Sequence, residues 1–173
     1  MAIRSILLLG NPILRAKCTA VKRGEISSNS DVFEDLHDTL LDFRRRNGFG
    51  RGIAAPQIGA TKKIIFIDFE FNGAMINPTI INRSRKKFRL WDDCFSFPDL
   101  LVKVERNYAV TVEFLNTEGM KSKVHAAGAL SELLQHEIDH VNGVLAIDRA
   151  IDVKHIVLRS EYDKLKTDSS KIL

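Results

Sequence analysis

Two stretches of the chain repeat hydrophobic residues every three to four positions, which is the spacing of one face of an α-helix. The first predicted helix is Asp31–Arg46, with Ser30 as its N-cap. The second is Ala129–Val141. An Asn-Gly pair, a common helix stop, follows both of them. A later stretch, Val153–Leu165, carries apolar residues among charges and predicts a third helix.

Between the first two helices the pattern changes to that of β-strands. The predicted strands are Lys63–Phe69, Met75–Ile81, Tyr108–Leu115 and Lys121–His125. A turn sequence joins the last two, which therefore predict an antiparallel hairpin. The basic run from Arg83 to Arg89 predicts a solvated loop. Because no crossover helices separate the strands, we expect an α+β fold with mostly antiparallel sheet, as a single domain over residues 1–173.

The composition is that of a globular protein, with 45% hydrophobic and 28% charged residues and a formal net charge of +4. This charge permits contact with nucleic acid but does not require it, and we expect no DNA partner. No apolar run approaches the roughly 20 residues of a membrane span, so we expect a cytoplasmic protein without membrane contact. Two cysteines make no disulfide framework. We expect Cys18 to be a packed thiol.

The most informative short motif is His136-Glu137-Ile138-Asp139-His140, an H-E-x-x-H sequence inside the second predicted helix. Two imidazoles four residues apart lie on the same helix face and can bind one metal ion. The intervening Glu137 can then approach a water molecule on that ion.

A catalytic ion needs a third protein ligand, and the residues offer two candidates. The histidine that would complete a metzincin motif is absent, because Ala146 stands at its position. Glu161 lies 21 residues beyond His140, which suits a thermolysin-like endopeptidase. Cys94 lies 42 residues before His136, although a lone cysteine is more often a buried apolar residue than a ligand.

Three segments in order resemble the three motifs of the peptide deformylase family, which read GφGφAAPQ, EGCLS and QHExDH. They are Gly50-Arg51-Gly52-Ile53-Ala54-Ala55-Pro56-Gln57, Asp93-Cys94-Phe95-Ser96 and Gln135-His136-Glu137-Ile138-Asp139-His140. The resemblance implies small antiparallel sheets packed around a central metal-binding helix. It also implies a metal-dependent amidase that removes the N-formyl group from the N-terminal methionine of new polypeptides and releases formate.

By this resemblance, Cys94 joins His136 and His140 as the ligands of one divalent ion, natively Fe²⁺, with Zn²⁺, Ni²⁺ or Co²⁺ able to replace it. Glu137 would transfer the proton of the attacking water to the departing amine. The side-chain amide of Gln57 and the backbone N–H of Phe95 would donate hydrogen bonds to the oxyanion.

The resemblance also implies where the substrate and partners bind. Gly50 and Gly52 would let an extended peptide lie close to the backbone as an added strand. The other predicted substrate-binding residues are Arg51, Ile53 and Leu133. The partners are then N-formyl-methionyl nascent peptides. The basic C-terminal helix could also contact the ribosome transiently, through Lys154, Arg159, Lys164 and Lys166.

Four positions depart from the family pattern, so the second motif is atypical. Asp92 and Asp93 replace the Glu and Gly before the motif cysteine, Arg51 replaces a hydrophobic residue, and Leu101 replaces an arginine. Since an acidic pair beside the ion would disfavour ionisation of its water, we predict that Arg51 pairs with Asp92 or Asp93. These changes leave open a homologue that acts on another N-acyl peptide or amide, or that binds peptides without turnover.

Overall fold

The computed structural model describes residues 2–167, with side chains as far as Lys164. Its helices are α1 (Ser30–Asn47), α2 (Gly128–Val141) and α3 (Arg159–Thr167). Its strands are β1 (Gly52–Ala54), β2 (Ile64–Asp68), β3 (Asn72–Arg83), β4 (Lys87–Asp92), β5 (Leu100–Asn107), β6 (Ala109–Leu115), β7 (Lys121–Ala127) and β8 (Ile156–Leu158). In this part of the chain no helix is long and apolar enough to cross a bilayer.

The described strands form two antiparallel sheets. The larger has the order β1-β2-β3-β6-β7, and the smaller has the order β4-β5-β8. The predicted hairpin is β6 and β7, in which Leu115 pairs with Lys121. Its turn is closed by the Asn116 carboxamide oxygen, which accepts hydrogen bonds from the Glu118 and Met120 amides. The α+β prediction is therefore confirmed.

Helix α2 lies at the centre of the molecule. Its apolar side chains pack against the larger sheet, in a core cluster that includes Leu134, Ile138, Ile65, Met75 and Val112. Even its polar side chains are mostly buried. The predicted helix that carries both motif histidines is therefore a central element of the hydrophobic core.

Two further core clusters flank α2. Helix α1 packs Leu36, Leu40 and Phe43 against β1 and β2. The smaller sheet contributes Val102 and Val104 to a cluster that also holds Cys94. Cys18 is buried in the central cluster, as predicted, and burial raises the pKa of its thiol to about 11 despite the nearby Lys63.

The prediction of a helix over Val153–Leu165 is wrong in its first half. A short 3-10 turn at Val153–His155 leads into β8, and the helix begins only at Arg159. Ile156, Val157 and Leu158 pair with β5, so tertiary strand pairing outweighs the local helical pattern.

The loop predicted between Arg83 and Arg89 is also wrong in part, because Lys87 begins β4. Strand β4 pairs with β5, and the Lys87 and Arg89 side chains bind Glu105 across the sheet. Strand β4 ends at Asp92 and so delivers the second motif to α2.

Candidate active site

Three buried ligand atoms meet where α2 faces the turn that follows β4. The His136 and His140 Nε2 atoms lie 3.1 Å apart, because the two residues are one helical turn apart on α2. The Cys94 Sγ atom lies 3.3 Å from His140 Nε2. The structure thus brings together the two motif histidines and the cysteine, and these three residues could hold a metal ion.

The donor set fits a tetrahedral cation. Bonds of about 2.0–2.1 Å to nitrogen and about 2.3 Å to sulfur place ligand atoms roughly 3.3–3.6 Å apart, close to the observed separations. Beside this group the Glu137 Oε2 atom is buried without a hydrogen-bond partner among the described residues. An uncompensated buried carboxylate oxygen is costly in an apolar core but suits a site completed by a cation and water.

Glu161, the alternative third ligand, lies elsewhere. Its side chain on α3 is 57% exposed and binds Lys164 at 2.6 Å. Within the described residues it belongs to neither group that could hold a metal ion. The ligand set of a thermolysin-like endopeptidase is therefore not formed.

A series of ion pairs fixes the orientation of His136 through its Nδ1 atom, opposite the candidate metal-binding Nε2 atom. Its Nδ1 atom lies 2.9 Å from an Asp92 carboxylate oxygen, and Asp92 also accepts a hydrogen bond from Arg106 at 3.1 Å. Arg106 in turn binds Asp139, one residue before His140. Burial alone would raise the pKa of Asp92, but His136 and Arg106 outweigh it and lower this pKa. This arrangement turns the Nε2 atom of His136 toward Cys94 and His140.

The predicted pairing of Arg51 with Asp92 or Asp93 is wrong. The Arg51 Nη2 atom instead binds a carboxylate oxygen of Glu132 at 2.7 Å. Asp92 is already engaged by Arg106, and Asp93 binds Arg159 at 3.0 Å. Sequence reasoning missed Glu132, although its spacing from His136 places both on one face of α2.

Asp92, Glu132 and His136 form a second group whose ligand atoms lie within 4.8 Å of one another. Both carboxylates in this group already have a guanidinium partner, Arg106 for Asp92 and Arg51 for Glu132. The group is therefore charge-compensated by the protein itself.

Glu137 lines the cavity that Cys94 and His136 also line. Burial raises the pKa of its carboxyl group to about 7, against the opposing effect of the neighbouring His136. Gly52 makes room for this carboxylate, because a Cβ atom there would lie 3.1 Å from the Glu137 Oε1 atom. The first motif thus has a packing requirement as well as a predicted contact with substrate.

The Gln57 side chain is oriented by both ends of its amide. Its oxygen accepts a hydrogen bond from the Ala54 amide at 2.9 Å. Its nitrogen points toward the candidate ligands, 3.7 Å from Cys94 Sγ and 3.3 Å from the Ser96 hydroxyl. The Phe95 ring stacks on Phe43 at 3.8 Å between centroids. Phe95 follows Cys94 directly in the chain, and this stacking fixes the Phe95 ring against α1.

The cavity has a volume of about 420 Å³. Of the predicted substrate-binding residues, Gly50, Arg51, Gly52 and Leu133 line it. Ile53 does not, because its side chain is wholly buried in the core beside α1, and only its backbone on the edge strand β1 could meet a ligand. Trp91 and the acidic pair Asp92 and Asp93 also line the cavity.

The family model described as polypeptide deformylase matches residues 3–155 of the chain. The chain belongs to the polypeptide deformylase family. A peptide deformylase from Rhizobium meliloti is 34% identical over an alignment of 180 residues, which covers all of both chains.

Solved deformylase structures agree with this assignment. The crystal structure of a peptide deformylase from Legionella pneumophila is 32% identical, with a TM-score of 0.80 and coverage of 99% of this chain and all of that one. A class I type b peptide deformylase from Acinetobacter baumannii with Met-Ala-Ser bound is 30% identical, with a TM-score of 0.78. The match spans 86% of this chain and 98% of the Acinetobacter baumannii chain. The deformylase family is one of metal-dependent hydrolases, so this chain is an enzyme of that class.

Proposed function

We propose that this protein hydrolyses the N-formyl group of N-terminal methionine on newly made polypeptides and releases formate. The observation that carries the proposal is the convergence of Cys94, His136 and His140 beside the buried Glu137, at a cavity lined by Cys94, His136 and Glu137. Amide hydrolysis needs an activated water, a proton carrier and oxyanion donors. Each of these requirements has a candidate residue at this cavity.

In this proposal Cys94, His136 and His140 hold one divalent metal ion, natively Fe²⁺, which Zn²⁺, Ni²⁺ or Co²⁺ can replace. Thiolate and imidazole ligands are compatible with all four metals. A divalent ion here supplies Lewis acidity, which makes water a nucleophile near neutral pH and polarises a carbonyl oxygen.

Glu137 moves the proton. Its carboxylate accepts the proton of the attacking water and returns it to the nitrogen of the departing amine. The burial of its side chain and the space left by Gly52 support this role, because they hold the carboxylate at the cavity wall beside the ligand group.

Gln57 and the Phe95 backbone stabilise the oxyanion that forms on the former formyl oxygen. The Ala54 amide fixes the Gln57 carboxamide so that its N–H group faces the ligand group. Because this orientation exists before substrate binds, the donor needs no reorganisation during the reaction.

The substrate peptide adds to the open edge of β1. This strand is the edge of the larger sheet, and an edge strand presents unpaired backbone groups that an extended peptide can use. Gly50 and Gly52 line the cavity at this edge. The Met-Ala-Ser peptide in the Acinetobacter baumannii structure is the kind of ligand that this mode accommodates.

We also propose a cytoplasmic protein that contacts the ribosome transiently through its C-terminal basic residues. Lys154 and Lys164 are exposed there, whereas Arg159 is held by Asp93 and the Pro98 carbonyl. The Lys166 side chain lies outside the described part of the structure. Cosedimentation with ribosomes should therefore weaken in a Lys154→Glu/Lys164→Glu variant.

The central test uses protein purified without oxygen, with metal content measured alongside formate release from formyl-Met-Ala-Ser. We expect about one metal ion per chain and turnover that is lost on chelation. Cys94→Ala should lose both metal and turnover, while the matched variant Glu161→Ala should keep both. Metal loss with Glu161→Ala alone, or a metal-loaded protein without formate release, would overturn the proposal. Faster inactivation in air than after Ni²⁺ exchange would support Fe²⁺ as the native ion.

A further inference from the structure

Two of the candidate metal ligands and an ion pair line one cavity. The Arg51–Glu132 pair, joined at 2.7 Å, lines the same cavity as Cys94, His136 and Glu137. Helix α2 presents Glu132, His136 and His140 at successive turns of one face. Glu132 therefore lies about 6 Å along the helix from His136, at about 1.5 Å of rise per residue.

This distance matches the substrate in the proposed reaction. In a formyl peptide the first side chain begins two atoms from the formyl carbon, after the nitrogen and the Cα atom. If the formyl carbon lies beside the ligand group, a side chain of three or four atoms that runs along α2 ends near the Arg51–Glu132 pair. The pair is thus placed to contact the end of the first side chain.

The pair is held in place by its surroundings. The Glu132 side chain is 4% exposed and the Arg51 side chain 36%. The Arg51 guanidinium also lies 5.3 Å from the centre of the Phe69 ring and donates to the Ala129 carbonyl. These contacts on both sides of the guanidinium oppose its withdrawal from the cavity when a ligand enters.

Contact between a thioether and such an ion pair is unfavourable. Methionine sulfur is a weak acceptor and has no donor, so it removes water from the guanidinium and carboxylate without replacing the hydrogen bonds. A neutral dipolar group replaces them better, because its oxygen accepts from Arg51. A carboxamide can in addition donate to Glu132.

We propose that Arg51 and Glu132 determine specificity, favouring formyl compounds whose first side chain ends in a neutral dipole over those that end in an apolar group. The inference rests on the proposed deformylase function and ranks its substrates by the end of their first side chain, with formyl-methionine still hydrolysed. A carboxamide and the sulfoxide of oxidised methionine share this chemistry, since both present an oxygen acceptor.

The test compares kcat/KM for four formyl tripeptides that share Ala-Ser and begin with Met, norleucine, Gln or methionine sulfoxide. In the metal-loaded protein we expect Gln or the sulfoxide to exceed norleucine by at least about 10-fold, the lower end of the effect of one hydrogen bond to a charged group. The Arg51→Leu/Glu132→Leu variant should reverse this order. Comparing Gln with the sulfoxide shows whether a donor to Glu132 adds to the effect.

A matched control and a second readout exclude a general structural effect. Arg89 and Glu105 form another Arg–Glu pair, on the exposed surface of β4 and β5 and outside this cavity, so Arg89→Leu/Glu105→Leu should keep the wild-type order. Calorimetric binding of the unformylated tripeptides should show the same reversal without turnover.

Two failures are distinguishable. If the wild-type protein prefers Met and norleucine as strongly as the Leu/Leu variant does, the specificity proposal is wrong and the deformylase proposal stands. If neither protein releases formate from any of the four peptides, the deformylase function fails and the specificity proposal fails with it.

Discussion

At the scale of single residues, a substitution of Glu137 distinguishes an effect on catalysis from an effect on metal binding. Glu137→Gln keeps the size of the side chain but removes the proton acceptor. We expect kcat to fall by about 10²- to 10⁴-fold, the usual contribution of a positioned acid–base group. Metal content, measured by mass spectrometry, should not change. Glu161→Gln on the exposed face of α3 is the control and should alter neither quantity.

The buried guanidinium of Arg106 belongs to the same scale. Its side chain is 4% exposed and joins Asp92 to Asp139. Arg106→Met leaves the Asp92 carboxylate without its guanidinium partner in the core, which costs about 3–5 kcal/mol. Arg149 also binds Asp139 but is half exposed, so Arg149→Met should cost only about 0.2–1 kcal/mol. Equal losses in urea unfolding would contradict the assigned role of burial.

The sequence predicts which residues form the candidate metal site, but it does not predict which ion pairs the surrounding residues form. A helical period places His136, Glu137 and His140 correctly, because the spacing is local. The spacing of Glu132 from His136 places it on the same helix face, but it does not show that Asp92 and Asp93 are taken by other arginines, which leaves Glu132 as the partner of Arg51. Ile53 shows the same limit, since all three residues of β1 are buried and the sequence does not show whether the Ile53 side chain faces the core or the cavity.

At the scale of elements, the end of α2 depends on Gly143. Its φ angle is 75°, and a Cβ atom there would lie 2.5 Å from the Arg15 carbonyl oxygen. Gly48 ends α1 at a φ angle of 76°, but a Cβ atom there would meet nothing within 4 Å. Gly48→Ala should therefore cost only the left-handed strain of about 1–2 kcal/mol.

Gly143→Ala adds a backbone clash to the same strain, so we expect a larger loss of unfolding free energy than for Gly48→Ala. Thermal and urea unfolding of the two variants provide the comparison. If the two losses are equal, the close approach of α2 to the Arg15 segment does not constrain the fold.

Elements with strong local periodicity were predictable, and those made by distant pairing were not. The amphipathic helix α1 and the hairpin of β6 and β7 follow from their own residues. Strand β8 forms because β5 lies beside it. Strand β4 forms because it pairs with β5, where Glu105 offsets the charges of Lys87 and Arg89. Such strands depend on contacts between residues far apart in the chain.

At the scale of the whole molecule, one carboxylate ties the N-terminal segment to α1. Asp35 accepts hydrogen bonds from the Ala2 amide at 2.9 Å and from Arg4 at 2.7 Å. Burial acts to raise the pKa of Asp35, but the Arg4 side chain and the Ala2 amide lower it below its ordinary value of 3.8.

Because the folded-state pKa is the lower one, this stabilisation is present above the unfolded pKa and is lost as the pH falls through the folded pKa. The difference in unfolding free energy between wild type and Asp35→Asn should be constant from pH 7 to about pH 5 and should shrink below about pH 4. A difference that grows on acidification would contradict this assignment.

Cys94 belongs to the core of the smaller sheet, whereas the two histidines belong to the helix seated on the larger one. A cation held by all three is therefore a cross-link between separately packed halves. Any ligand that binds only the native state adds its binding free energy to folding. Chelation should thus lower the melting temperature, and hydrogen exchange should accelerate first along the seam between β4 and α2, before the interior of either half opens.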